Sequence, residues 1–218
     1  MKFILLFICL STSLFLNAQI KKGALFVGGD LQMYSSNTTS TDPNPYTSKN
    51  KGIFFSPSIG WVVKENVVAG VSLLLSFNNN EQQNAFYQSK GNRIGGGIFI
   101  RKYLSLGKSL YLFGNAAVNG QSVYNKYMYV QQPYYSTEKG YAINAVLIPG
   151  VAYQLKKSLF LELALNNLIS LGYDRRNTDD HNPNGNVYKT VSNNYNLYTS
   201  LGNGVPLQIG LRWMIAKK

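Results

Sequence analysis

Charge, cysteine and histidine are all scarce in this sequence. The 218 residues include one Cys, one His and two Trp, and charged residues make up 14%. A single cysteine cannot pair within the chain, which excludes a disulfide scaffold. Ala, Leu, Glu and Lys do not dominate, which argues against a helix bundle. No stretch after residue 18 approaches 18 consecutive apolar residues, so no transmembrane helix is expected. Aromatics at 13% and a mean hydropathy of −0.12 exclude a disordered chain. What is plentiful is tyrosine (16), phenylalanine (11) and glycine (20), with a net charge of +12.

Residues 1–18 read as a secretory signal peptide. Lys2 is a short basic region, Phe3 to Leu10 an apolar one, and Leu16-Asn17-Ala18 ends on a small residue before Gln19. The apolar run is too short and too interrupted for a spanning helix of about 20 residues. Cys9 falls inside this leader, so the mature chain, 19–218, holds no cysteine. Thiol chemistry and cysteine-ligated metals drop out with it.

The mature chain repeats a period-two pattern. Ile53, Phe55, Ile59, Trp61 and Val63 alternate with Ser56, Ser58 and Gly60. Leu159, Leu161, Leu163 and Leu165 alternate with Phe160, Glu162, Ala164 and Asn166, and Leu207, Ile209, Leu211 and Trp213 with Gln208, Gly210 and Arg212. Eight such segments are predicted, over approximately 22–34, 52–64, 66–77, 93–105, 109–121, 140–154, 158–172 and 204–216. They are long for soluble strands, and a tilted membrane strand needs roughly 9–11 residues.

The connections alternate in length. Lys64-Glu65-Asn66, Leu106-Gly107-Lys108 and Lys156-Lys157-Ser158 are tight. Ser35–Lys51, Asn78–Asn92, Ser122–Lys139 and Asp174–Asn203 are long and rich in Asn, Ser, Thr and Tyr, and Val187–Tyr198 has the pattern of a strand pair of its own. The pattern predicts an all-β fold: an eight-stranded antiparallel transmembrane β-barrel with short periplasmic turns and long extracellular loops. Pro57 and Pro149 fall inside strands, where local bulges are expected.

Several segments carry a resemblance. Ala18-Gln19, Gly95-Gly-Gly-Ile-Phe-Ile-Arg-Lys-Tyr103, Leu106-Gly-Lys-Ser-Leu-Tyr-Leu-Phe-Gly114 and Leu207-Gln-Ile-Gly-Leu-Arg-Trp213 look like the outer-membrane protein β-barrel domain family of Gram-negative bacteria, relatives of the small OmpA- and OmpX-type barrels. The resemblance implies residence in the outer membrane, with its lipid and the barrel-assembly machinery as partners, and no single activity. Members typically end on an aromatic residue; here Trp213 is followed by Met-Ile-Ala-Lys-Lys218.

The charges fall into three places. Lys64, Lys102, Lys108, Lys156 and Lys157 belong to a basic rim at the short-turn end, opposed only by Glu65. That rim suits anionic phospholipid headgroups, or simply lysines snorkelling from apolar strands. Without interleaved stacking aromatics it does not suit nucleic acid. Trp61, Trp213, Tyr103 and Tyr153 are assigned to the interface beside it. Glu162, Arg212, Arg101 and Asp30 are assigned to the barrel interior, with Glu162 and Arg212 at one depth on neighbouring strands. An unpaired ion there is costly, so an ion pair is expected. Lys21, Lys22, Lys217 and Lys218 at the termini join the rim, Lys2 is in the leader, and the remaining charges are in the long loops.

Candidates for chemistry are few. His181, in Asp179-Asp180-His181-Asn182-Pro183, is the only histidine, and one His in a flexible loop is a poor zinc platform. No nucleophile elsewhere is paired with a base. Gly95–Gly97 precede no Lys-Ser/Thr and are not a phosphate loop; they leave room for inward aromatics such as Phe99. The expectation is a non-enzymatic barrel without cofactor or metal. Its role is structural or one of surface interaction, through Tyr/Asn-rich loops meeting protein or glycan. A narrow pore for small solutes is the alternative, and an envelope-lipid-modifying enzyme a more distant one.

Overall fold

A computed structural model describes residues 20–40, 46–83, 87–129, 134–165, 168–199 and 207–216; the predicted leader, 1–18, lies outside the described residues. Ten strands are present: β1 (Leu25–Ser40), β2 (Tyr46–Lys64), β3 (Val67–Gln83), β4 (Tyr87–Ser105), β5 (Leu110–Tyr129), β6 (Tyr135–Lys156), β7 (Leu159–Leu165), β8 (Ile169–His181), β9 (Val187–Thr199) and β10 (Leu207–Ile215). All pairings are antiparallel. β1 to β7 pair in sequence, β7 pairs β10 and β10 pairs β1. The ring therefore closes through eight strands, as the periodicity predicts.

The two extra strands are continuations. β6 carries β7 on its lower part, through Gly150 to Lys156, and β8 on its upper part, through Tyr135 to Leu147. The seventh staff of the barrel is thus interrupted between Leu165 and Ile169. β8 pairs along its length with β9, so Val187–Tyr198 is not the strand pair of its own that was expected but one strand, whose partner is β8. Among the described residues, β1 above Leu31 has a ladder only with β2, and β9 has one only with β8. The wall is a closed hoop below and a split cuff above.

The long polar connections were read as loops between the strands. Most of their length is instead β-hairpin: β1 and β2 stay paired out to Ser40↔Tyr46, and β5 and β6 out to Met128↔Tyr135. Polar side chains in water carry no apolar period, so those extensions leave no pattern to read. The prolines also differ from expectation. The β2–β3 ladder skips from Phe55↔Leu75 to Ser58↔Ser72 in constant register, so Pro57 sits in a gap without a bulge. Pro149 falls where β6 changes partner between Leu147 and Gly150, and there the extra residues belong to the facing strand. A proline, lacking the amide hydrogen, fits both places. The register shifts within single strand pairs lie instead at Val62/Lys64 and Gln154/Lys156, beside the short turns. Asn66 closes one of those turns with φ 60°, a left-handed conformation that Asn tolerates.

Side chains divide by parity. Outward lie Leu31, Phe55, Val71, Leu73, Ile98 and Leu163, all exposed. Inward at the short-turn end lie Phe26, Val68, Phe99, Tyr111, Phe113 and Phe160, all buried. Ile20 and Ala24 join this core from the segment before β1, held by Ile20 N donating to Asn66 Oδ1 at 2.9 Å and Gly23 N to Val62 O at 2.8 Å. The glycine that makes room for Phe99 is Gly70, where a Cβ would lie 2.8 Å from the ring; Gly95 and Gly97 face Gln121 and Asn119 instead.

Gly70→Val is expected to cost about 1–3 kcal/mol, the penalty of overpacking. Gly120→Ala, whose Cβ meets nothing within 4 Å, should stay within about 1 kcal/mol of the parent. Urea unfolding in lipid vesicles measures both, and equal losses would contradict the packing.

Candidate functional site

Strand parity brings four charges from four strands to one level inside the ring. On β4, Phe99, Arg101 and Tyr103 point in while Ile98, Ile100 and Lys102 point out. On β7, Phe160, Glu162 and Ala164 point in. β10 contributes Arg212 and β1 contributes Asp30.

The Glu162 carboxylate is the centre. Arg101 Nη1 donates to its Oε2 at 2.5 Å, and the Tyr103 hydroxyl donates to its Oε1 at 2.5 Å. Arg212 Nε lies 3.2 Å from the same Oε2, an ion contact rather than an aligned hydrogen bond. Arg212 Nη2 also pairs with the Asp30 carboxylate, and Arg101 Nε donates to Asn115 Oδ1 at 3.3 Å. Glu162 is 1% exposed and Arg212 0%, so water contributes little. The charges balance locally: two guanidinium groups face two carboxylates. Aromatic faces complete the enclosure, with Arg101 Cζ 4.7 Å from the Phe113 ring centroid and Arg212 Cζ 5.6 Å from that of Phe26. A cation over a ring face gains quadrupole attraction without needing a hydrogen bond.

The four interior residues therefore meet, with one difference in weight. Glu162 was expected to pair chiefly with Arg212; its shortest contact is with Arg101, and Arg212 spans Glu162 and Asp30. Three of the four interfacial aromatics, Trp61, Trp213 and Tyr153, are outward and exposed. Tyr103 is a correction. It is 1% exposed and inward, because it shares parity with Arg101 two residues earlier. Below the cluster, Tyr103, Tyr111, Phe113 and Phe160 pack with centroids 5.5–6.4 Å apart, filling the lumen.

Above the cluster the lumen opens into a cavity of about 380 Å³, reaching from Arg101 and Asn115 at its floor to Tyr34 and Tyr198 higher up. A second network lies on its wall. Arg176 donates to Glu138 Oε1 at 2.9 Å and to Asp174 Oδ2 at 2.7 Å. Asn194 and Asn196 of β9 donate to Asp174 at 3.1 Å each, and Asn125 of β5 donates to Glu138 at 2.6 Å. This network ties β8 and β9 to β5 and β6. Burial raises the Asp174 pKa, but Asn194, Arg176 and Asn196 outweigh it and hold the carboxyl below the usual range. Sequence reading did not single out these residues, although the alternation of Asp174 and Arg176 with Tyr173 and Arg175 marks them as inward.

His181 stacks on Tyr135, with centroids 4.2 Å apart and planes at 11°. Among the described residues, no three His, Cys, Asp or Glu side chains come together as a metal-binding group. Some of the tyrosines of the Tyr/Asn-rich segments pack on one another: Tyr129 with Tyr134 at 4.9 Å, and Tyr173 with Tyr195 at 5.0 Å.

No family model matches the chain, and no curated protein matches its sequence. Among solved structures it is similar to the translocator domain of the autotransporter NalP from Neisseria meningitidis. The identity is 14%, over 95% of this chain and 92% of that one, with a TM-score of 0.41. It is also similar to the beta domain of the Bordetella autotransporter BrkA, at 8% identity over 90% and 100% of the two chains, with a TM-score of 0.27.

Two outcomes follow from these networks. Glu162→Gln leaves two buried guanidinium groups short of a counter-charge and should cost about 3–5 kcal/mol. A double-mutant cycle of Glu162→Gln with Arg101→Met should show coupling of about 0.5–3 kcal/mol; coupling of zero would mean that the pair is solvated. The lowered Asp174 pKa stabilises the β8–β9 attachment above the unfolded Asp value of about 3.9, and that stability is lost as pH falls through the folded value. Protection of the β9 amides, taken relative to their intrinsic exchange at each pH, should therefore be flat from neutral pH to about 5 and fall below about 4, and Asp174→Asn should remove this pH dependence.

Proposed function

We propose that the protein is an outer-membrane β-barrel, closed to solutes, that acts as a structural and surface-interaction element rather than as an enzyme. The observation that carries this reading is the pairing of an apolar exterior with a filled interior. Leu31, Phe55, Val71, Leu73, Ile98, Leu147, Leu163, Ile209 and Leu211 form an exposed belt around the ring. A belt this extensive is untenable in water and is what a bilayer covers. Trp61, Trp213 and Tyr153 border it at the short-turn end, where Lys64, Lys102, Lys108, Lys156 and Lys157 are exposed and carry the sign that suits phospholipid phosphates.

Closure follows from the floor. Eight strands enclose a space just wide enough for side chains, and here the Glu162 network and the ring of Tyr103, Tyr111, Phe113 and Phe160 fill it. A polar pathway through this level would have to break paired charges. The non-enzymatic reading rests on the same fact: the most concentrated set of titratable side chains in the lumen is turned upon itself. Surface interaction is supported by the hairpin end, where Tyr188, Tyr195 and Leu197 of β9 are exposed on a strand whose only ladder among the described residues is with β8. Exposed aromatics on such an edge suit contact with protein or glycan. The reading keeps the predicted export signal and the likeness to small OmpA- and OmpX-type barrels as its framework.

Planar bilayers test closure: the protein should show no stepwise conductance, whereas steady single-channel steps would favour a narrow pore. Orientation is tested separately. The mature chain has no cysteine, so Asn184→Cys in the β8–β9 turn and Lys157→Cys in the short turn give single labels. A membrane-impermeant maleimide on intact cells should label the first alone, and labelling only the second would invert the topology.

A further inference from the structure

The cavity above the Glu162 network serves neither the floor nor the belt. We propose that it is a binding cup for a neutral, hydroxyl-rich ligand of the saccharide type. It rests on the closed floor argued above. At about 380 Å³ it falls within the range of small-molecule sites, and it is shut at one end only.

The walls specify the chemistry. Ser56, Ser72, Asn119, Asn144, Ser170 and Gln208 all line it. Each hydroxyl or carboxamide can both donate and accept, which matches a ligand whose own groups do both. The charges that face the cup are committed. Arg101 is paired with Glu162, Asp30 with Arg212, and Asp174 with Arg176. Arg93 also lines the cavity but is exposed. An ionic ligand moving to the depth of Gln208 would lose its hydration without meeting an unengaged counter-charge. A neutral polyol would not.

Two amides lack what such a ligand supplies. Gln208 is 5% exposed, and its Oε1 is buried without a hydrogen-bond partner in the protein; Asn119 Oδ1 is in the same position. Buried polar atoms are nearly always partnered. The terminal torsion of a carboxamide is broad, so a small rotation presents either its oxygen or its NH₂ to the cup. Tyr34, Phe54 and Tyr198 add aromatic faces to the lining. An aromatic face accommodates the apolar C–H side of a sugar ring while the amides take its hydroxyls.

The test is side-chain amide NMR on isotopically labelled protein in lipid nanodiscs, titrated with maltose, glucuronate and glycine betaine. Maltose should shift the Gln208 and Asn119 amide resonances saturably, and the two charged probes should not. Gln208→Leu should weaken maltose binding by about tenfold or more. Should that variant not fold, as read by gel mobility, Ser72→Leu narrows the cup from the opposite wall and should abolish the shifts. Absence of saturable shifts with maltose, or shifts with glucuronate alone, would overturn the proposal. A barrel that conducts in bilayers would instead overturn the closed floor, so the two failures are distinguishable.

Discussion

The rest of the structure depends on a carboxylate that cannot reach water. Glu162 sits inside a closed ring of strands, and a charge there is tolerable only if its partners are built in. Three strands answer that demand: Arg101 and Tyr103 from β4, Arg212 from β10, and, through Arg212, Asp30 from β1. Because the partners reach in from three staves other than that of Glu162, the network also fixes how those staves sit around the axis. A one-residue slip of β4 would turn Arg101 and Tyr103 to the outside and bring Ile100 and Lys102 in. The ion network is thus a register device as much as a seal.

That floor divides the lumen into two environments. Below it, Phe26, Phe113, Tyr111 and Phe160 make an apolar core of the kind a soluble protein keeps at its centre. Above it, serines and amides line a wet cup. Outside, the order is reversed, with apolar residues around the belt and polar residues on the hairpins. The protein is therefore inverted with respect to a globular domain over only part of its height.

Much of this was legible in the sequence, for identifiable reasons. Apolar alternation such as Leu159-Phe-Leu-Glu-Leu-Ala-Leu165 reports a strand between an apolar exterior and a lumen, and the alternation of tight turns with long connections reports a barrel. The depth of Glu162 and Arg212 could be counted from the strand ends. Tyr103 was misplaced because its residue type suggested an interface, while its parity with Arg101 pointed inward. The upper strands were hidden, since Thr, Asn and Ser pair in water without any apolar period. The Glu138–Asp174–Arg176 network lay in that hidden region, as did the interruption between β7 and β8, which depends on a change of partner along β6.

The split in the upper wall has a mechanical meaning. In the lower hoop the circumference is set by strand number and by ladder hydrogen bonds on both sides of every strand, and widening it would break a bond row. Among the described residues no ladder row joins β1 above Leu31 to β9. The girth of the mouth is therefore not set at that point by backbone counting, as the girth of the lower hoop is. Asp174, Asn194 and Asn196 reinforce β8 against β9 and leave that separation untouched.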